Sequence, residues 1–307
     1  MRALKIALIG LGKMGRNLAV NILRKGYSVI GYDILPQVKD ELLREEIFQT
    51  ERFKFISEWD SLIQEINPED IIFILIPHGE ETELMLEQLL KALPKGSTVL
   101  ECGNSHYKEI EKWNVAYLKA GLNLLDVGTS GGVDGAREGL CAMIGGNHDS
   151  YKRIEPFLIK ICCEGGLLYT GKTGSGHYLK MIHNGIEYGM MQAIAEGFEV
   201  LNESPYPFDY KEVARLWNNG SVIRSWLMEL VEESFRKEPR LESIVGKMNA
   251  SGEAQWMVEE AMDLKVPVPV TALSLMVRNR SMQEDTFSGK VVAALRKEFG
   301  GHEVEGK

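Results

Sequence analysis

Lys5-Ile6-Ala7-Leu8-Ile9-Gly10-Leu11-Gly12-Lys13-Met14-Gly15 begins as an apolar run and ends in three glycines spaced G-x-G-x-x-G. The run reads as a buried strand, and Met14, Leu18, Ile22 and Leu23 then mark one face of a helix that Gly26 closes. A second apolar run over 28–32 completes a βαβ unit. Glycines between a strand and a helix permit the tight turn, close approach of a pyrophosphate to the backbone, and close helix packing. Gly10, Leu11, Gly12, Lys13, Met14 and Gly15 are therefore a candidate dinucleotide-binding turn. Asp33 ends the second strand, where a carboxylate accepts hydrogen bonds from the adenosine ribose and repels a 2′-phosphate, so NAD is expected ahead of NADP. A turn cap ahead of Ile34-Leu35-Pro36 is a plainer use of the same carboxylate, and does not exclude the first.

Outward from this unit, the runs 71–76, 98–101 and 123–127 read as further buried strands separated by helical patterns, the signature of a parallel sheet. Another pair is expected over 141–144 and 167–170, around a helix near 150–162. After Gly171-Lys172-Thr173-Gly174-Ser175-Gly176 the pattern turns helical: one long proline-free helix over 177–201, ended by Ser204-Pro205-Tyr206-Pro207, then helices over 210–217, 221–235, 253–263, 270–282 and 290–299. The fold class expected is α/β, an N-terminal Rossmann-type parallel sheet in residues 1–173 followed by an all-α domain in 174–307 that binds substrate and oligomerises.

With 307 residues, 44% of them hydrophobic and 26% charged, the chain has material for two ordinary domains. A net charge of −9 argues against bulk attraction to nucleic acid or anionic lipid, so an anionic ligand needs specific basic residues. The apolar stretch 4–11 is too short for a signal segment, and no run approaches the roughly 20 residues of a membrane span. Four cysteines, with Cys162 and Cys163 adjacent, have neither a disulfide framework nor zinc-ligand spacing. A cytoplasmic protein without a metal site is expected.

Chemistry concentrates in Lys180-Met181-Ile182-His183-Asn184-Gly185-Ile186-Glu187-Tyr188, where Lys180, His183, Asn184 and Glu187 are spaced i, i+3, i+4 and i+7. One helix face thus presents an amine, an imidazole, an amide and a carboxylate; a solvated polar stripe is the bland alternative. Two loops at carboxyl ends of predicted strands, Cys102-Gly103-Asn104-Ser105 and Gly128-Thr129-Ser130-Gly131-Gly132, carry the small residues and backbone N–H groups that suit a carboxylate or a nicotinamide.

These segments, with Gly135-Ala136 and the tail Arg296-Lys297-Glu298-Phe299-Gly300-Gly301-His302, resemble the decarboxylating 6-phosphogluconate dehydrogenase family within the β-hydroxyacid dehydrogenase superfamily. The glutamate and tyrosine that follow the lysine and asparagine favour that branch, and the length resembles its short, NAD-preferring type. The resemblance implies that Lys180 is the general base and Glu187 the acid. It further implies that Asn104, Ser130, Gly131, Gly132, His183, Asn184 and Tyr188 hold the sugar acid, with Asn104 also at the cofactor. Arg278 would meet the substrate phosphate, while Arg296 and His302 would reach a neighbouring subunit's site in a homodimer or homotetramer. Gln255 and Met257 stand where longer relatives have a phosphate-contacting lysine and threonine, which leaves Arg278, or Arg280 beside it, to carry that role. Two other readings stay open. One is a non-decarboxylating enzyme of the 3-hydroxyisobutyrate kind, against which Glu187, Tyr188, Arg278 and the tail speak. The other is a catalytically silent nucleotide-binding sensor or scaffold, against which Lys180 and Glu187 speak.

Overall fold

A computed structural model describes residues 4–305 of the chain. Residues 1–3 and 306–307, at the outer ends of the two expected domains, lie outside the described residues. Two compact units divide the chain, Met1–His183 and Asn184–Lys307.

The first unit alternates strands and helices: β1 (Lys5–Ile9), α1 (Lys13–Arg24), β2 (Ser28–Tyr32), α2 (Val38–Leu42), β3 (Phe53–Ile56), α3 (Trp59–Glu65), β4 (Ile71–Ile74), α4 (Glu80–Ala92), β5 (Thr98–Glu101), α5 (Tyr107–Ala120), β6 (Asn123–Ser130), α6 (Gly132–Glu138), β7 (Leu140–Gly145), α7 (His148–Ile161) and β8 (Cys162–Gly171). The strands form one sheet in the order β3-β2-β1-β4-β5-β6-β7-β8. The order reverses between β1 and β4, and an open α/β sheet binds its ligands outside the strand ends at such a switch point. Both faces are covered. Ile6, Leu8, Ile71 and Phe73 join Leu18 and Ile22 of α1 and Phe157 and Leu158 of α7, whereas Ala7, Ile9, Ile72 and Ile74 join Leu62, Leu86, Leu89 and Tyr117 from α3, α4 and α5. Burial on both faces explains why these strands read as continuous apolar runs.

Pairing is parallel except between β6 and β7, where Ser130 faces Cys141 and Asp126 faces Gly145. The expected parallel sheet thus holds, with this antiparallel pair within it. Residues 131–139 are fewer than the roughly dozen that a parallel crossover needs, so β7 runs back beside β6. The sequence reading also omitted β3. It is a four-residue edge strand, half-exposed and interrupted by Lys54, with too little apolar alternation to stand out.

Helix α8 (Ser175–Glu203) leaves the first unit and continues into the second, which contains α9 (Tyr210–Asn218), α10 (Trp226–Lys237), α11 (Gly252–Asp263), α12 (Pro269–Ser281) and α13 (Phe287–Gly300). Here α10 starts five residues later than the periodicity suggested, because the Ser225 hydroxyl caps it by accepting from Met228 N and Gly220 holds the preceding turn at φ +92°. Phe198, Tyr210, Ala214, Met228 and Phe235 form one small core of this unit, and Tyr188, Ala254 and Leu275 another. Among the described residues no helix is long and apolar enough to cross a membrane.

The entry turn of the sheet depends on close backbone approach. Gly10 has φ +92°, its N–H donates to Tyr32 O at 2.9 Å, and a Cβ on Gly15 would stand 1.9 Å from Gly10 O. A Cβ on Gly12 would meet nothing within 4 Å. Gly15→Ala should therefore destabilise the protein by about 1–3 kcal/mol through overpacking. Gly12→Ala should cost less than about 1 kcal/mol, the loss from a fair N-cap residue to a poor one with no clash added. Urea-unfolding midpoints check the contrast, and equal losses at the two positions would contradict it.

Candidate functional site

At the carboxyl end of β1, the first turn of α1 has no acidic residue and no side-chain cap, so its N–H groups and positive dipole end remain for an anion. Gly12 and Lys13 are exposed, Leu11 and Gly15 buried, and Met14 half-buried against the core. Asp33 joins this turn: Oδ2 accepts from Leu11 N at 2.9 Å and Oδ1 from Leu35 N at 3.0 Å. It is thus a turn cap, yet a partly exposed carboxylate keeps further lone pairs, and each oxygen can accept a second bond. Open space above Gly12, bare helix N–H groups and a carboxylate one strand away fit a dinucleotide.

Beyond β5, the loop Gly103-Asn104-Ser105 is folded onto Glu101, whose Oε1 accepts from Gly103 N at 2.5 Å. Asn104 has φ +58°, and its buried Oδ1 takes no hydrogen bond from any described residue. A buried amide oxygen left in that state is costly, and an incoming donor would relieve it. Cys102 beside it is a poor nucleophile, since burial and then the Glu101 charge push its thiol well above the ordinary range.

Helix α8 starts against the ends of β5 and β6. Asp126, fully buried on β6, accepts from Gly174 N at 2.6 Å and His177 N at 2.9 Å, and so neutralises two of the N–H groups that a helix start leaves open. Gly128 lets the helix approach, because a Cβ there would lie 2.5 Å from Lys180 Cβ and 2.7 Å from Gly176 O. Lys180, only 7% exposed, is held over this strand with Nζ 3.5 Å from His183 Nδ1. His183 Nε2 lies 3.2 Å from Ser130 Oγ. Gly131 and Gly132, at φ +100° and +56°, turn the chain into α6 directly after that serine. Lys180, His183 and Ser130 are thus brought together. Sequence reasoning missed Glu101, Asp126 and His177, although a charged residue inside an otherwise apolar strand was the available signal.

Asn184, Glu187 and Tyr188 continue α8 in the second unit, with Asn184 buried and Glu187 half-buried on the face that Lys180 and His183 share by helical spacing. Tyr188 is buried; its hydroxyl accepts from Ser251 N at 2.9 Å and lies 3.1 Å from Ser251 Oγ. Arg278 of α12 stacks on it, with Cζ 3.5 Å from the ring centroid, and donates weakly to Asn249 O at 3.4 Å. Met257 packs on Gly185, where a Cβ would meet its Sδ at 1.9 Å, and Gln255 Nε2 donates to Glu259 at 2.8 Å. Arg280 donates to Gln283 O at 2.5 Å, in the turn that follows α12. Arg296 makes no hydrogen bond or ion pair with any described residue, His302 packs its ring on Phe299 at 6.5 Å, and α13 buries none of its residues. Tyr188 and Arg278 are therefore joined, whereas the tail residues Arg296 and His302 have no contact with that pair. The cysteines also stand apart from this chemistry. Cys141, Cys162 and Cys163 are free thiols, and burial pushes Cys162 up to about 12.

Comparison with known proteins matches residues 5–170 to the NAD binding domain of 6-phosphogluconate dehydrogenase and residues 176–303 to the C-terminal domain of that enzyme. YqeC of Bacillus subtilis (strain 168), provisionally named a 6-phosphogluconate dehydrogenase, is 50% identical over 305 residues, covering 99% of this chain and 100% of its own. The NAD(+)-dependent, decarboxylating 6-phosphogluconate dehydrogenase of Haloferax volcanii is 36% identical over 310 residues, covering 99% of each. Among solved structures, the Plasmodium falciparum 6-phosphogluconate dehydrogenase superposes with a TM-score of 0.81 at 26% identity, over 99% of this chain and 66% of that one. Matched end to end by the two domains of one oxidoreductase, with a dinucleotide turn at one strand end and a buried lysine at another, the chain belongs to the 6-phosphogluconate dehydrogenase family.

Proposed function

We propose that the chain oxidises 6-phosphogluconate at C3 with NAD as the hydride acceptor and decarboxylates the product to ribulose 5-phosphate and CO2. The observation that carries this reading is the buried Lys180 amine, seated over the end of β6 and flanked by the His183–Ser130 pair. Bound NAD supplies the acceptor for the C3 hydride. Lys180, as the neutral amine, removes the proton of the 3-hydroxyl. The carboxylate at C1 then leaves as CO2, and the electrons of its bond pass to the C3 ketone oxygen, which protonated Lys180 stabilises. Glu187, two turns further along the same helix face, returns a proton to the carbon that lost CO2. Asn104, Ser130, Gly131, Gly132, His183 and Asn184 hold the sugar acid, and Asn104 serves the cofactor as well. In the same reading Arg278, fixed on the Tyr188 ring, receives the phosphate, for which a planar guanidinium is suited. Neither Gln255, engaged with Glu259, nor Met257 adds a charge. Exposed Phe287, Leu295 and Phe299 on α13 support a homodimer or homotetramer, in which Arg296 and His302 would complete a neighbour's site.

Purified protein should reduce NAD with 6-phosphogluconate and release CO2, followed as NADH absorbance and trapped gas. Lys180→Met should abolish that turnover while NAD still binds. No turnover by the parent protein with either NAD or NADP would sink the reaction, and full turnover by the variant would sink the base.

For the phosphate, Arg278→Ala should raise KM for 6-phosphogluconate roughly tenfold or more with a smaller effect on kcat, since a charge-assisted hydrogen bond contributes about 1.5–3 kcal/mol. A KM unchanged by the substitution would remove Arg278 from phosphate recognition.

For the cofactor, Asp33→Ser combined with Ile34→Arg should shift kcat/KM towards NADP by about tenfold or more, because a carboxylate that repels the 2′-phosphate is replaced by a guanidinium that attracts it. If the NADP to NAD ratio stays put, Asp33 does not set the preference.

A further inference from the structure

We infer that Glu101 and His177 form a buried positioning pair that fixes the Asn104 loop and the Lys180 turn of α8 relative to one another. The inference rests on the reading of Asn104 and Lys180 given above. Glu101 is fully buried and His177 is 3% exposed, and their Oε2 and Nε2 atoms are 2.5 Å apart. The second carboxylate oxygen holds Gly103 N at 2.5 Å. One side chain therefore grips two segments: the residue next to Asn104 on one side, and the first turn of α8, three positions before Lys180, on the other. The loop is wrapped tightly on this carboxylate, since a Cβ on Gly103 would lie 2.6 Å from Glu101 Oε1 and 2.5 Å from Ile76 O.

Glu101 and Asp126 are register partners on β5 and β6, and neither is exposed. Asp126 is compensated by Gly174 N, His177 N and the positive end of the α8 dipole. The His177 ring meets one oxygen of Glu101 while Gly103 N meets the other, so the buried carboxylate is hydrogen-bonded on both sides. A buried pair of this kind adds little net stability over an apolar pair of similar volume. What it adds here is direction. Asp126 anchors His177 by its backbone and Glu101 by its ring, so the rotation of α8 about its own axis, and with it the placement of Lys180, is set from two points. Asn104, held at φ +58° one residue beyond Gly103, is set by the same carboxylate. Misplacement of a reacting group by about 1 Å can cost on the order of 100-fold in rate.

The test compares the full-length parent with Glu101→Gln, His177→Gln and the double variant. Each single variant should lose about 10- to 100-fold in kcat for 6-phosphogluconate oxidation, with KM for NAD changed less than about threefold. The double variant should lose no more than the worse single one, as expected for residues that act as a unit. In unreacted protein, Glu101→Gln should move the His177 ring 15N shifts and the side-chain resonances of Asn104 and Lys180. A merely structural pair would lower the unfolding midpoint and leave kcat of the folded molecules and both resonances at parental values, which would overturn the inference. Additive losses in the double variant would overturn it too. Should the parent not turn over 6-phosphogluconate, the proposed reaction fails, but the resonances still decide whether the pair sets Asn104 and Lys180.

Discussion

The contact on which the site depends is the seating of α8 on the ends of β5 and β6. A fully buried Asp126 accepts the backbone N–H groups of Gly174 and His177, and Gly128 leaves the space in which Lys180 Cβ rests on the strand. A helix start is ordinarily satisfied by its own cap residue or by water. Here a strand residue from 48 positions earlier does it. The consequence is that the lysine inherits the rigidity of the sheet, and the His183–Ser130 contact follows from the same seating.

The sheet was readable because its strands are buried on both faces, which leaves mostly apolar runs at 5–9, 28–32, 71–74, 98–101 and 123–127. Elements governed by local chemistry at their ends were less legible. Edge strand β3 buries little, and the start of α10 was decided by Ser225 rather than by periodicity. The direction of β7 depended on the length of its connection, which apolar pattern does not report. Of the candidate site, the glycine turn and the polar face of α8 were visible because both are written in spacing over a few residues. The Glu101–His177 contact spans 76 positions and Asp126 reaches 48 to Gly174, so neither has a local signature.

The second unit contains a preassembled aromatic–cation stack. Its Tyr188–Arg278 stack is built from α8 and α12, with the tyrosine hydroxyl locked by Ser251. Both side chains have already surrendered rotamer freedom, and a guanidinium held flat presents its edge without further ordering. Met257 and Gln255, on α11, contribute packing and a local hydrogen bond and no charge.

Asn104 illustrates how narrowly such a site is drawn in mutational terms. At φ +58°, only glycine, asparagine and aspartate are accommodated readily. Glycine would keep the backbone but delete the amide, and aspartate would add a negative charge three residues beyond Glu101, whose carboxylate is fixed by Gly103. Backbone geometry and electrostatics together leave glycine and asparagine, and of the two only asparagine places an amide there. Drift at this position is therefore narrowed by the fold itself.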